Sequence, residues 1–150
     1  MTLISKNNIQ QYVPQYPPFL MVDTLDVFED QKAVSTFTIT NDNILLDTYG
    51  FSDAGMLENM AQTCALHAGY KFIQGVSSAE TATNSTKKAP VGFIGSIKDY
   101  VATQYAQVGD TIHTEVVIEH SIGLASVIRG QVFFKEEMIA TCEMKIFLSE

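Results

Sequence analysis

The 150-residue chain has the length of one domain, and its 46% hydrophobic and 17% charged residues exclude a fibre or a broadly disordered protein. A formal net charge of -8 with a single arginine, Arg129, excludes nucleic-acid binding through clustered cations. No apolar run approaches the roughly 18–20 residues of a membrane span and the start lacks a signal-peptide core, so the expectation is a cytoplasmic chain with reduced, buried Cys64 and Cys142.

Residues 5–18, SKNNIQQYVPQYPP, read as a polar segment with one weak helical turn, ended by Pro14, Pro17 and Pro18. An extended strand is expected from near Phe19, with Leu25, Val27 and Glu29 on one side and Asp26 and Phe28 on the other. After a turn at EDQK, the run AVSTFTIT is β-branched and aromatic, with Phe37 and Ile39 on one face, and completes a hairpin. The following loop carries Ile44, Leu45, Leu46, Tyr49 and Phe51, too apolar to lie free in water. Ser52 or Asp53 caps a helix to about Gly75, whose first turns are apolar nearly all round and therefore buried. Residues 74–90 read as a loop without periodicity, and four strand patterns follow, separated by VGD, IGL and KEE.

The order is two strands, one long helix and four strands. It implies an α+β domain over residues 1–150, a curved antiparallel sheet wrapped around one central helix. Sheet edges and the helix flank left bare call for cover, for which a homodimer or a heterodimer with a similar chain is an economical solution.

Glu58 is the anomaly in that helix, sharing a face with Ala54, Ala61, Gln62 and Ala65. A carboxylate near a helix N-terminus is stabilised by the helix dipole, and this alone accounts for it as well as a functional role does. The functional alternative is a general acid or base beside backbone N–H groups able to hold a developing oxyanion. His67, nine residues later and about 180° around the helix, cannot join it and is expected at the helix surface or a dimer interface. The odd separation of His113 and His120 puts them on opposite strand faces, against a shared metal.

Three stretches, VPQYPPFLMVDTLDVF, MLENMAQTCALHAGY and GFIGSIKDYVATQYAQVGDTI, in this order and spacing resemble the hotdog-fold beta-hydroxyacyl-acyl-carrier-protein dehydratases. The likeness is greatest to the divergent members associated with aryl-polyene and flexirubin-type pigments. It implies the hotdog fold, Glu58 as the catalytic carboxylate, and an acyl substrate carried on the phosphopantetheine of acyl carrier protein or coenzyme A, with no metal or other cofactor. The family's histidine before the helix is absent, and the frequent histidine of its proline-rich start is Gln15 here.

The resemblance makes Gln62, Asp47, Tyr49 and Asp53 the supporting residues, and Phe19, Met21, Phe51, Met56 and Phe93 the tunnel walls, although plain core explains those five as readily. Lys87, Lys88, Lys98 and Arg129 are the charges available for docking an acidic carrier. Three functions stay open: a dehydratase with Glu58 as its one acid-base, a non-catalytic acyl-binding subunit completed by a histidine-bearing partner, and a thioesterase in which Glu58 activates water.

Overall fold

The computed structural model describes residues 2–78 and 91–149. Its main elements are β1 (Thr24–Glu29), β2 (Lys32–Thr38), β3 (Leu46–Asp47), β4 (Gly50–Phe51), α1 (Asp53–Ser78), β5 (Gly92–Ala102), β6 (Thr111–Ile122), β7 (Ala125–Phe134) and β8 (Glu137–Leu148). Six strands form one antiparallel sheet in the order β1-β2-β6-β7-β8-β5, and α1 lies across one face of it, touching all six strands. Met56, Met60 and Cys64 of α1 pack against Ile112 and Val116, Ile128 and Val132, and Cys142 and Met144 on successive strands. Burial pushes the Cys64 thiol up to about 12, leaving it protonated and unreactive.

The other side of the helix is covered by the N-terminal segment. Behind its polar composition, Ile4, Ile9 and Val13 are buried and join Val22, Leu25, Ala65 and Leu66 in a second apolar cluster. The single turn expected there is a 3-10 helix over Ile9–Gln11. The approach is closest at Gly69, where a Cβ would stand 2.0 Å from the Tyr12 carbonyl oxygen. Exchanging glycine for alanine inside a helix ordinarily gains about 1 kcal/mol. Here the sign reverses: Gly69→Ala is expected to cost about 1–3 kcal/mol through overpacking against backbone, seen as a lowered thermal midpoint.

Two bulges correct the side-chain phase expected from periodicity. In β1 the register shifts between Leu25 and Val27, so Leu25 and Phe28 face the helix while Val27 is exposed. In β6 it shifts between Ile118 and His120, and His120 comes opposite Val127 while His113 lies opposite Phe133. Both histidines therefore sit on the outer face, not on opposite faces, but six β7 residues apart, about 20 Å at ~3.3 Å per residue. Among the described residues no group of three or more His, Cys, Asp or Glu is placed to hold a metal ion, and no helix is long and apolar enough to cross a membrane.

The strand expected from near Phe19 begins at Thr24, and the loop before the helix contains the short β3–β4 hairpin that the sequence reading lacked. Ser52 is the N-cap, its Oγ accepting from the Gly55 N–H at 3.1 Å. The β7–β8 turn places Lys135 and Glu136 both at positive φ, 49° and 68°, a combination usually supplied by Asn-Gly.

His67 also departs from expectation, being 4% exposed under β1. Its ring stacks on Phe28 at 4.7 Å and its Nε2 lies 2.8 Å from the Glu29 carbonyl oxygen, fitting a neutral imidazole that donates from Nε2. Burial holds its pKa below the ordinary 6.5, with Lys71 adding to the depression while the Glu29 carbonyl opposes it. The unfolded chain therefore binds a proton that the folded chain refuses, so stability is full above pH 6.5 and declines as pH falls beneath it towards the folded value. His67→Gln should flatten that part of the urea-midpoint against pH curve, measured between pH 7.5 and 5.

Candidate functional site

The chain between the proline pair and β1 cannot begin pairing in the sheet before Asp23, whose N–H donates to the Thr36 carbonyl. Polar side chains of α1 hold it instead. The Met21 N–H donates to Gln62 Oε1 at 2.6 Å, Gln62 Nε2 donates to the Phe19 carbonyl at 2.9 Å, and Asn59 Nδ2 donates to the Met21 carbonyl at 2.7 Å. Asn59 and Gln62 are fully buried, so each of these bonds replaces water at a backbone group that would otherwise go unpaired.

Gln62 has one N–H left, and it donates to Glu58 Oε1, one helical turn away, at 2.9 Å. Glu58 is half-buried and lines two clefts. One, of about 400 Å³, is walled by Phe19, Met21, Ile44, Leu45 and Ala54. The other, of about 380 Å³, is walled by Gln15, Ala61, Gln62, Phe93 and Ile94 among others. Glu58 is the one ionisable side chain among the described residues that lines either of them. Largely apolar walls around one carboxylate suit a ligand with an apolar chain.

Phe19 and Met21 thus lie in the first cleft and Phe93 in the second, whereas Phe51 and Met56 are wholly buried in the core and line neither. The helix start draws them inward: Phe51 packs on Phe37 at 5.7 Å. Asp47, Tyr49 and Asp53 do not line the clefts either. The Asp47 carboxylate accepts the Tyr49 N–H at 2.8 Å within the β3–β4 turn, and the Tyr49 carbonyl accepts from Gln107 Nε2 at 2.7 Å.

Asp53 accepts the hydroxyls of Tyr100 at 2.6 Å and Tyr105 at 2.8 Å. Burial, and then the bond to Asp53, raise the Tyr100 hydroxyl above its ordinary pKa, so it stays a donor. Lys98 and Arg129 are exposed on the outer face, flanking Glu143 across adjacent strands, and Arg129 Nη2 lies 3.5 Å from Glu119, the bulged residue of β6. Lys87 and Lys88 lie outside the described residues. No histidine lines either cleft. Ile94 was missed by the sequence reading because continuous exposure along β5 has no periodicity to betray it.

A family model described as ApeP-like, ApeP dehydratase, matches residues 7–150. The chain belongs to the ApeP-like dehydratase family. No curated protein matches the sequence. Among solved structures, the ApeP-like chain is similar to the dehydratase heterocomplex ApeI:P from Xenorhabdus doucetiae, at 11% identity over 95% of this chain and 91% of that one, with a TM-score of 0.74. It is also similar to a hypothetical thioesterase with coenzyme A from Streptococcus pneumoniae TIGR4, at 12% identity over 83% and 84%, TM-score 0.59. A third likeness is to smu.793 from Streptococcus mutans UA159 bound to acetyl CoA, at 15% identity over 83% and 86%, TM-score 0.58. At such identities the structural likenesses establish the fold: this ApeP-like chain has the hotdog fold, with its antiparallel sheet around one long helix.

Proposed function

We propose that the protein acts on 3-hydroxyacyl thioesters as a dehydratase, with Glu58 as the general acid-base. The observation that carries this reading is the position of Glu58, the one ionisable group among the described residues on two largely apolar clefts, tied at one oxygen by Gln62. In that role the Glu58 carboxylate takes the proton alpha to the thioester and gives it to the 3-hydroxyl as the C–O bond breaks, yielding an enoyl thioester and water; where a partner chain brings a histidine, that histidine takes the alpha proton and Glu58 starts as the acid. Presentation by acyl carrier protein or coenzyme A is part of the proposal, as is docking of a carrier through Lys87, Lys88, Lys98 or Arg129. The coenzyme A thioester or coenzyme A named with two of the structural neighbours supports the thioester class.

Completion by a second hotdog chain, identical or related, belongs to the same reading. β5 ends the sheet, and its Phe93, Ile94, Ile97 and Val101 are exposed. Such an edge invites pairing. Phe93 and Ile94 also border the Glu58 cleft, so a chain paired along β5 would stand beside the carboxylate and bring any histidine it carries. The heterocomplex among the structural neighbours supports this assembly.

The test is mass-spectrometric analysis of a 3-hydroxyacyl carrier-protein thioester incubated with the protein, alone and with a histidine-bearing hotdog chain. Loss of water is expected. Release of free acid would instead establish the thioesterase reading, which the thioesterase neighbour favours. Binding without turnover under both conditions would mean an acyl-binding subunit.

A further inference from the structure

A further cleft, of about 320 Å³, is lined by His120, Ile122, Ala125, Val127, Lys145 and Phe147. Lys145 and Phe147 alternate along β8 with Met144 and Ile146, which are buried towards α1, so this cleft lies on the outer face of the sheet. Strand register lays its residues in two rows. Ile122, Ala125 and Phe147 stand side by side on β6, β7 and β8, and the row ends on β5 at Phe93. His120, Val127 and Lys145 form the next row, which ends at Ser96. The Phe147 ring leans over β5 at Gly95, where a Cβ would stand 2.2 Å from it.

Ile122 is 82% and Phe147 43% exposed, and large apolar side chains gathered so openly on a strand face mark an interaction surface. The charges beside them run against the rest of the chain. Lys145, Lys98 and Arg129 stand there against Glu119 and Glu143, an excess of cations in a chain whose formal net charge is -8. Arg129 is paired with Glu119, whereas Lys98 and Lys145 enter no ion pair among the described residues. The cleft also lies at the Glu58 end of the sheet. Phe93, where its apolar row ends, borders the Glu58 cleft, and from Val127 on β7 to β5 is two strand spacings, about 10 Å. A chain paired along β5 extends the sheet edgewise and leaves this outer face open.

We propose that this outer-face cleft is the docking surface for an acidic carrier protein that presents the acyl thioester, an inference that rests on the function proposed above. An apolar side chain of the carrier fills the space between Ile122, Val127 and Phe147, carboxylates around it meet Lys145 and Lys98, and the acyl arm passes over Phe93 to Glu58.

The experiment measures dissociation constants of the full chain, alone and with the histidine-bearing hotdog chain, for two forms of one ligand. One is a 3-hydroxyacyl pantetheine amide free in solution; the other is the same group carried on an acidic acyl carrier protein. Lys145→Glu and Ile122→Asp should each weaken binding of the carrier-borne form about tenfold, the cost of an opposing charge at the interface, and leave the free form within about twofold of wild type. Lys135→Glu makes the same charge change at the β7–β8 turn, at the other end of the sheet, and should leave both forms unchanged. Carrier affinity untouched by Lys145→Glu and Ile122→Asp, or lowered as much by Lys135→Glu, overturns the docking site and leaves the acyl-thioester reading standing. So does a wild type that binds the free form but not the carrier-borne one. Equal weakening of both forms would mean that the substitutions act on the Glu58 cleft or the fold, and would likewise overturn the assignment. A wild type that binds neither form overturns both proposals. Lys145 and Ile122 are both exposed, and either variant suffices if the other fails to fold.

Discussion

Glu58→Gln is expected to lower dehydration by roughly two to four orders of magnitude, the usual contribution of a positioned acid-base, equivalent to about 3–5 kcal/mol of barrier. The substitution isolates proton transfer. A glutamine carbonyl at position 58 still accepts from Gln62 Nε2, so the bonds from Gln62 to Phe19 and Met21 are kept and the clefts retain their walls. The thermal midpoint should therefore stay within a degree or two while kcat falls, both measured on one preparation. Turnover within about threefold of wild type would remove Glu58 from the chemistry.

The second large effect concerns stability. Asn59→Ala is expected to cost about 3–5 kcal/mol, read from the urea midpoint, out of the ~5–15 kcal/mol typical of a domain. Asn59 is fully buried. Its Nδ2 donates to the Met21 carbonyl at 2.7 Å and its Oδ1 accepts the Thr114 hydroxyl at 2.5 Å, while its own carbonyl accepts the Thr63 hydroxyl at 2.8 Å. Thr63 in turn shares a hydrogen bond with Ser35 at 2.7 Å, so the network joins α1 to β2 and β6 inside the core.

Alanine keeps the backbone carbonyl but strands a buried carbonyl at Met21 and a buried hydroxyl at Thr114, at about 1–3 kcal/mol each, and opens a small cavity. Thr114→Val, which orphans one acceptor and opens no cavity, should cost roughly half as much. A loss under 1 kcal/mol for Asn59→Ala would show that the network is not what holds Met21 against the helix.

The hairpin of β1 and β2, the long helix and the four later strands were all legible from β-branched runs, turn residues and an apolar helix of unusual breadth. What escaped was whatever depends on one residue too many. A bulge leaves no mark in composition, yet it reversed the phase of Val27 and Phe28 and carried His120 to the face of His113. The N-terminal cover escaped because Ile4, Ile9 and Val13 are diluted among polar neighbours, and apolar side chains that wide apart signal burial only once the helix they cover is known.

In the site, Glu58 stood out as a carboxylate in an apolar helix, and Gln62 as its neighbour four residues on. Their shared face was implied by spacing. The grip of Gln62 on residues 19–21 was not, since it joins positions more than forty apart in sequence. That grip also explains why the strand starts late: backbone held by α1 is not available to β2.

One amide therefore fastens two things to a single helical turn, the backbone wall of the first cleft and the carboxylate that borders both. They are mechanically one part. The wall at Phe19 and the Glu58 carboxylate hang on the two N–H groups of one side-chain nitrogen, so the position of either is referred to the same atom of the helix.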